Sequence, residues 1–333
     1  MIKTPYLLFL GNAPDQLAVK VAQGIKDWRP NHAMGQFRML GCNADLGLAD
    51  MGLQQAKDGG AKTLVIGVAN RGGVISAAWK DVLLAALEIG FDIASGLHNL
   101  LCDEADLVAV AAEHGRVLYD VRVPTQAYPI ANGVPRSGKR MLAVGTDCSV
   151  GKMYTTLAID ADMQARGINS SFRATGQTGI LITGEGVPLD AVTADFMAGA
   201  IEQLTPDNAP DHWDLIEGQG SLCHVSYSGV SLALIHGGQP DALVVCHEPT
   251  RSHMRGLPDY SVPTIAQVSD QALQMAKLAN PNCQVVGLSI NTQHLSVTEA
   301  EAYLTAREAE FGLPAVDPFR QGAGRLVDAL VAL

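Results

Sequence analysis

Between Met141 and Thr156 the chain reads Met-Leu-Ala-Val-Gly-Thr-Asp-Cys-Ser-Val-Gly-Lys-Met-Tyr-Thr-Thr: an apolar run, a loop bounded by Gly145 and Gly151, and then Lys152. A strand that passes through such a loop into a helix gathers backbone N–H groups at one point. The helix N-terminus and a lysine ammonium add positive charge there. Gly145, Thr146, Cys148, Ser149, Val150, Gly151 and Lys152 are therefore expected to cradle a phosphate, with Met153 in the first turn of the helix. Five residues separate Gly145 from Gly151 and Lys152. Position 153 holds a thioether where magnesium-nucleotide enzymes of this kind carry a Thr or Ser hydroxyl, and a thioether is a poor ligand for a hard cation. Thr155 and Thr156 lie outside the motif's register. The loop suits a phosphate-bearing ligand held without magnesium.

Further along, Trp213-Asp214-Leu215-Ile216-Glu217-Gly218-Gln219-Gly220 closes an apolar run with an acid and two glycines. Glu217 is expected at the carboxyl end of a strand, in the crevice where open α/β sheets bind ligands. Asn291 ends another apolar run, where it can meet a nucleotide base or simply form an Asn turn. Arg173 precedes Ala174-Thr175-Gly176-Gln177-Thr178-Gly179, and Arg251 lies in the segment His247-Glu248-Pro249-Thr250-Arg251-Ser252-His253. The histidines of that segment, with His224 and His236, invite a metal reading. His247 and His253 are six apart with Pro249 between them, however, not four apart on a helix, so no metal is expected.

These residues need elements to position them. Short β-rich apolar runs at 6–10, 37–40, 63–68, 91–94 and 117–120 alternate with helix-like stretches such as 16–25 and 77–89; a second set of runs lies at 140–144, 171–174, 213–217, 242–246 and 284–290. Such alternation predicts parallel sheets covered by helices on both faces, an α/β fold. The segment 121–139 holds three prolines and two glycines that block regular structure, which predicts a boundary between a Rossmann-like domain at 1–130 and a P-loop domain at 131–333. At 333 residues each half is long enough to bury its own core.

Composition narrows the partners. The 34 acidic against 23 basic residues give a net charge of -11, which disfavours nucleic acid or an anionic membrane surface as the main partner. The richest apolar stretch, 82–94, is interrupted by Glu88 and Asp92 and is too short to span a bilayer. Six cysteines form no C-x-x-C pair, so reduced thiols in a cytoplasm are expected. No Gly-x-Gly-x-x-Gly turn with an acidic partner is present, which disfavours NAD.

The loop Gly-Thr-Asp-Cys-Ser-Val-Gly-Lys-Met resembles the Gly-Thr-Asp-x-x-Val-Gly-Lys-Thr loop of dethiobiotin synthetase and related P-loop enzymes, and Glu217-Gly218-Gln219-Gly220 resembles their Glu-Gly-Ala-Gly stretch. Add Leu10-Gly11-Asn12-Ala13, Gly67-Val68-Ala69-Asn70-Arg71-Gly72-Gly73 and Ser95-Gly96-Leu97-His98, and essentially the whole chain resembles one two-domain P-loop family. That resemblance implies acetyl transfer from acetyl-CoA to the α-amine of D-glutamate. A coenzyme pyrophosphate suits the loop. Attack on a thioester requires a neutral amine and hence a general base, for which Glu217 is favoured over Asp147. Lys152 or loop N–H groups are expected to stabilise the oxyanion. Two substrate carboxylates call for planar guanidinium forks, Arg173 first and Arg251 next, with Gln177, Thr178, Asn70 and Arg71 as further contacts. Cys148 as an acyl carrier is the less favoured route. A homo-oligomer is expected. The rival readings are an ATP-dependent ligase or kinase like dethiobiotin synthetase, and a non-catalytic nucleotide sensor.

Overall fold

Tyr6–Gly11 (β1) is an unbroken apolar run, and all six residues are buried, as a strand covered on both faces requires. The computed structural model describes residues 2–69, 73–124 and 126–333. Following β1 come α1 (Lys20–Trp28), β2 (Ala33–Arg38), α2 (Leu53–Asp58), β3 (Thr63–Ile66), α3 (Ala77–Ile89), β4 (Asp92–Ser95), α4 (Ala105–Glu113) and β5 (Leu118–Asp120). Their strands pair in parallel in the order β2-β1-β3-β4-β5. This is a doubly wound sheet whose order reverses beside β1.

The second sheet begins with β6 (Lys139–Gly145), followed by α5 (Lys152–Ala165), β7 (Ser170–Arg173), α6 (Gln177–Thr183), α7 (Ala194–Leu204), β8 (Trp213–Ile216), α8 (Ser228–Gly238) and β9 (Ala242–His247). A small hairpin, β10 (His253–Met254) and β11 (Leu257–Ser261), comes next. The chain ends with α9 (Ile265–Ala279), β12 (Gln284–Ile290), α10 (Val297–Phe311), β13 (Ala315–Val316), α11 (Pro318–Gln321) and α12 (Gly324–Val331). The order is β13-β12-β9-β6-β8-β7, parallel throughout. All its carboxyl ends therefore emerge along one edge, with β6 central. Met141, Ile159, Trp213, Val244, Val286 and Leu326 belong to the apolar core between this sheet and the helices α5 and α12.

The chain forms two compact units. One comprises 1–125 with Gly176–Ala191, the other 126–175 with Val192–Leu333. Helix α6 lies against α1 in the first unit.

The α/β class and the parallel sheets are as the sequence predicts. The edge strand β2 is displaced: it begins at Ala33 and stops at Arg38, whereas the apolar pattern marks 37–40. Gly35 hides it, because glycine has poor strand propensity. A Cβ at Gly35 would lie 2.5 Å from the Met51 sulfur, so close packing demands glycine there. Leu40 projects fully into solvent.

Candidate functional site

The loop after β6 is held by backbone constraints that start in its own residues. A Cβ on Gly145 would fall 2.8 Å from Val150 Cγ2 and 3.0 Å from the Cys246 carbonyl oxygen, so β6 must end in glycine. Ser149 has φ +55°, a left-handed conformation uncommon outside glycine, and Gly151, at φ +106°, opens α5. Lys152 is buried, and its Nζ donates to the Asp147 carbonyl at 2.8 Å. Gly218 makes room for it: a Cβ there would lie 1.7 Å from the Ala143 oxygen and 2.9 Å from Lys152 Cδ. Burial lowers the lysine pKa, while Cys246, Cys148 and Asp147 push it back upward. A phosphate in the loop would keep that proton in place.

Asp147, fully buried, is the hub beneath the loop. Its Oδ1 accepts from Cys148 N at 2.7 Å; its Oδ2 accepts from Arg251 Nη1 at 2.7 Å and Arg255 N at 2.8 Å. Arg251 also donates to the carbonyls of Cys148 at 2.6 Å and Ser149 at 3.3 Å, and through Nε to Glu248 at 2.9 Å. Engaging those carbonyls fixes the peptide planes of the loop. Arg255, exposed, donates to the Ser149 hydroxyl. His224 accepts from Ser226 N at Nδ1, so the proton on Nε2 faces the Arg255 carbonyl 3.2 Å away. On the adjacent strand, His247 Nδ1 lies 3.0 Å from Thr146 Oγ1, and burial pushes its pKa down to about 4, so the ring is neutral at pH 7.

Glu217 is buried at the end of β8. Its Oε2 accepts from Thr175 N at 2.8 Å, and its carbonyl accepts from the Thr175 hydroxyl at 2.7 Å. The next residue, Gly218, packs against the Lys152 side chain. The hydroxyls of Thr155 and Thr156 bond back to the carbonyls of Gly151 and Lys152 within α5. Burial pushes the Cys148 thiol up, against the pull of Lys152.

Other predicted residues stand elsewhere. Arg173 turns back along the sheet to Asp214, with Nε 2.6 Å from Oδ1. Gln177 opens α6 in the first unit, where its amide donates to the Gly96 carbonyl and accepts from Arg122 Nη2 at 3.0 Å; Thr178 follows it in the same helix. Asn291 accepts from Gln293 N at 3.2 Å, the Asn-turn alternative, at the end of β12. Asn70, Arg71 and Gly72 lie outside the described residues. Glu248 and His224 enter the sequence reading only in the metal context, and Arg255 has no role there. For Glu248 and Arg255 the signal was the density of charged residues just after β9. Among the described residues Asp147, Cys148 and His224 bring potential metal-ligating atoms within 4.8 Å of one another, but Arg251 already neutralises that carboxylate.

A parallel sheet, a glycine-bounded loop and a buried lysine define a P-loop protein, here with no hydroxyl at the magnesium position. Residues 129–327 match a family described as "Domain of unknown function (DUF1611_C) P-loop domain", and 37–124 match its "DUF1611_N Rossmann-like domain". The chain belongs to the DUF1611 family. It is 72% identical over all 333 residues, and over the whole of the other chain, to a protein of Tritonibacter scottomollicae named D-glutamate N-acetyltransferase. A Pseudoalteromonas protein of the same name is 47% identical over 331 residues, covering 99% of this chain and 98% of that one. The crystal structure of a DUF1611 family protein from Anabaena variabilis superposes with a TM-score of 0.89 at 31% identity, covering 99% of this chain and all of that one.

Proposed function

We propose that this chain is an N-acetyltransferase that moves the acetyl group of acetyl-CoA to the α-amine of D-glutamate, giving N-acetyl-D-glutamate and CoA. The observation that carries the reading is the 72% identity, over the full length of both chains, with a protein bearing that activity in its name. The loop supports it from chemistry. Backbone N–H groups and Lys152 suit the pyrophosphate of a coenzyme, and Met153 suits a ligand that needs no magnesium at that position. An ATP-dependent ligase is disfavoured on the same ground, since the Thr155 and Thr156 hydroxyls are engaged inside α5.

In this reading Glu217 takes a proton from the substrate ammonium. The amine then attacks the thioester carbon to form a C–N bond; as the C–S bond breaks, the surplus proton on the nitrogen passes to the departing thiolate, giving the amide and CoA thiol, and Glu217 returns its proton to solvent. Lys152 and the loop N–H groups serve the pyrophosphate, and the oxyanion role expected of them falls away because the pantetheine arm separates the pyrophosphate from the thioester carbon. Asp147, already accepting three hydrogen bonds, and Arg251 build the loop; in this reading the exposed Arg255 meets a substrate carboxylate. The raised Cys148 pKa favours direct transfer over an acyl-enzyme, because the thiol is the poorer nucleophile. Six free cysteines suit a reducing cytoplasm. Among the described residues no helix is long and apolar enough to cross a membrane.

The test is incubation with acetyl-CoA and a panel of D- and L-amino acids, read by mass spectrometry. N-acetyl-D-glutamate and stoichiometric CoA are expected. Turnover of Mg-ATP with no acetylated product from any amine would overturn the assignment in favour of the ligase.

A further inference from the structure

Beside the loop, the second unit carries an exposed aromatic ring on a rigid mount. Phe319 is 68% exposed. Its backbone is fixed. Asp317, 3% exposed, accepts from Phe319 N at 2.9 Å and Arg320 N at 3.4 Å, and its other oxygen accepts from the amide of Thr292 at 3.0 Å and from its hydroxyl. Arg320 Nη2 closes the link by donating to the carbonyls of Thr292 at 3.1 Å and Leu295 at 2.8 Å. The start of α11 and the loop after β12 are thus tied together around one buried carboxylate.

The Phe319 ring lies 5.1 Å from that of Tyr154, centroid to centroid, at 33°. Tyr154 is the second residue after Lys152, which puts it about 3 Å further along α5 from the phosphate cradle. Arg320 and Gln321, which follow Phe319 in the chain, line an open groove of about 380 Å³ with Val297, Ala300, Glu301 and Leu304, between α10 and α11.

We propose that Phe319 and Tyr154 form the stacking platform for the adenine ring of the acyl donor while the loop at 145–152 holds its phosphates. The proposal rests on the acetyl-CoA reading above. A flat π-system suits a purine face, and a ring beside the anion cradle is where a nucleotide's base arrives once its phosphates are bound.

Two donors separate adenine recognition from the rest of the site: acetyl-CoA, and S-acetyl-pantetheine, which has the same thioester but no adenosine. Phe319→Ala should raise KM for acetyl-CoA about tenfold and KM for S-acetyl-pantetheine less than twofold, with Phe319→Trp restoring the acetyl-CoA value. Adenosine 3′,5′-bisphosphate, titrated calorimetrically, should lose a similar factor in affinity in Phe319→Ala and in Phe319→Leu. Equal changes in KM for both donors, or bisphosphate affinity unaltered by either substitution, would overturn the platform. Bisphosphate binding that depends on Phe319, in a protein that transfers no acetyl group, would retain the platform and overturn the donor assignment instead.

Discussion

Two strand ends in this molecule start alike and finish differently. In the first unit β1 ends at Gly11, in the second β6 ends at Gly145, and each is a buried central strand followed by a loop. Gly11 has φ +53°, and a Cβ on it would lie 2.6 Å from the Trp79 ring. Trp79 also stands edge-on to Phe9 with centroids 5.3 Å apart, and its Nε1 donates to Asn12 Oδ1 at 3.0 Å. That strand end is plugged by an indole. At Gly145 the loop instead rests on Asp147, Arg251 and Arg255, with the buried Lys152 beneath it. Carboxyl ends of parallel strands are the usual ligand crevice of α/β folds, but the fold only offers the location. Apolar filling makes one end structural, and buried charge with engaged carbonyls gives the other the character proposed here for an anion site.

The largest effect expected from this contrast is at Glu217. Glu217→Gln keeps shape and loses the ability to take a proton, so turnover should fall about 10²–10⁴-fold while donor binding persists. Normal turnover in that variant, measured by CoA release, would pass the role to another group. Trp79→Ala probes the opposite end. It should cost about 3–5 kcal/mol of stability in denaturant unfolding, as removal of a buried aromatic does, yet leave donor affinity in the folded protein unaltered. A changed donor dissociation constant would break the comparison, because Trp79 would then serve ligand binding too.

Lys152→Ala sharpens the contrast at a smaller scale. Loss of one charged hydrogen-bond donor should weaken coenzyme binding by about 1.5–3 kcal/mol in calorimetry. The wild-type pH dependence carries a sign as well. Burial depresses the lysine pKa and a bound phosphate raises it, so donor affinity is full while the free protein's lysine is protonated. It should fall as pH rises, starting below the 10.5 of an ordinary lysine, with proton uptake on binding across that window. Pyrophosphate titrated at several pH values checks this, and an affinity flat to above pH 10.5 would remove Lys152 from the site. Smallest of all is the effect of chelation: EDTA should leave acetyl transfer intact, and activity lost in EDTA and restored by magnesium would mean that a metal shares the loop despite Met153.

The amino-acid sequence alone determined the phosphate loop, the neighbouring acid at Glu217 and the parallel α/β architecture. Each depends on contiguous residues: glycines where the backbone needs them, a lysine at a helix start, and apolar runs of strand length. Even the departure at Met153 was legible, because one position decides it. What only the tertiary structure decided is how distant charges pair. Arg251 and Arg173 are alike as sequence, two arginines at or shortly past the ends of strands. One crosses 104 positions to bind Asp147 beneath the loop, and the other turns back to Asp214 on the neighbouring strand. Asp147 becomes the base of the loop because its oxygens meet donors from 251 and 255, and Phe319 stands beside Tyr154 because Asp317 ties α11 to the loop after β12. Local patterns encode backbone shape and burial, but an ion pair depends on where two side chains meet after the sheets have formed, and no spacing along the chain carries that distance.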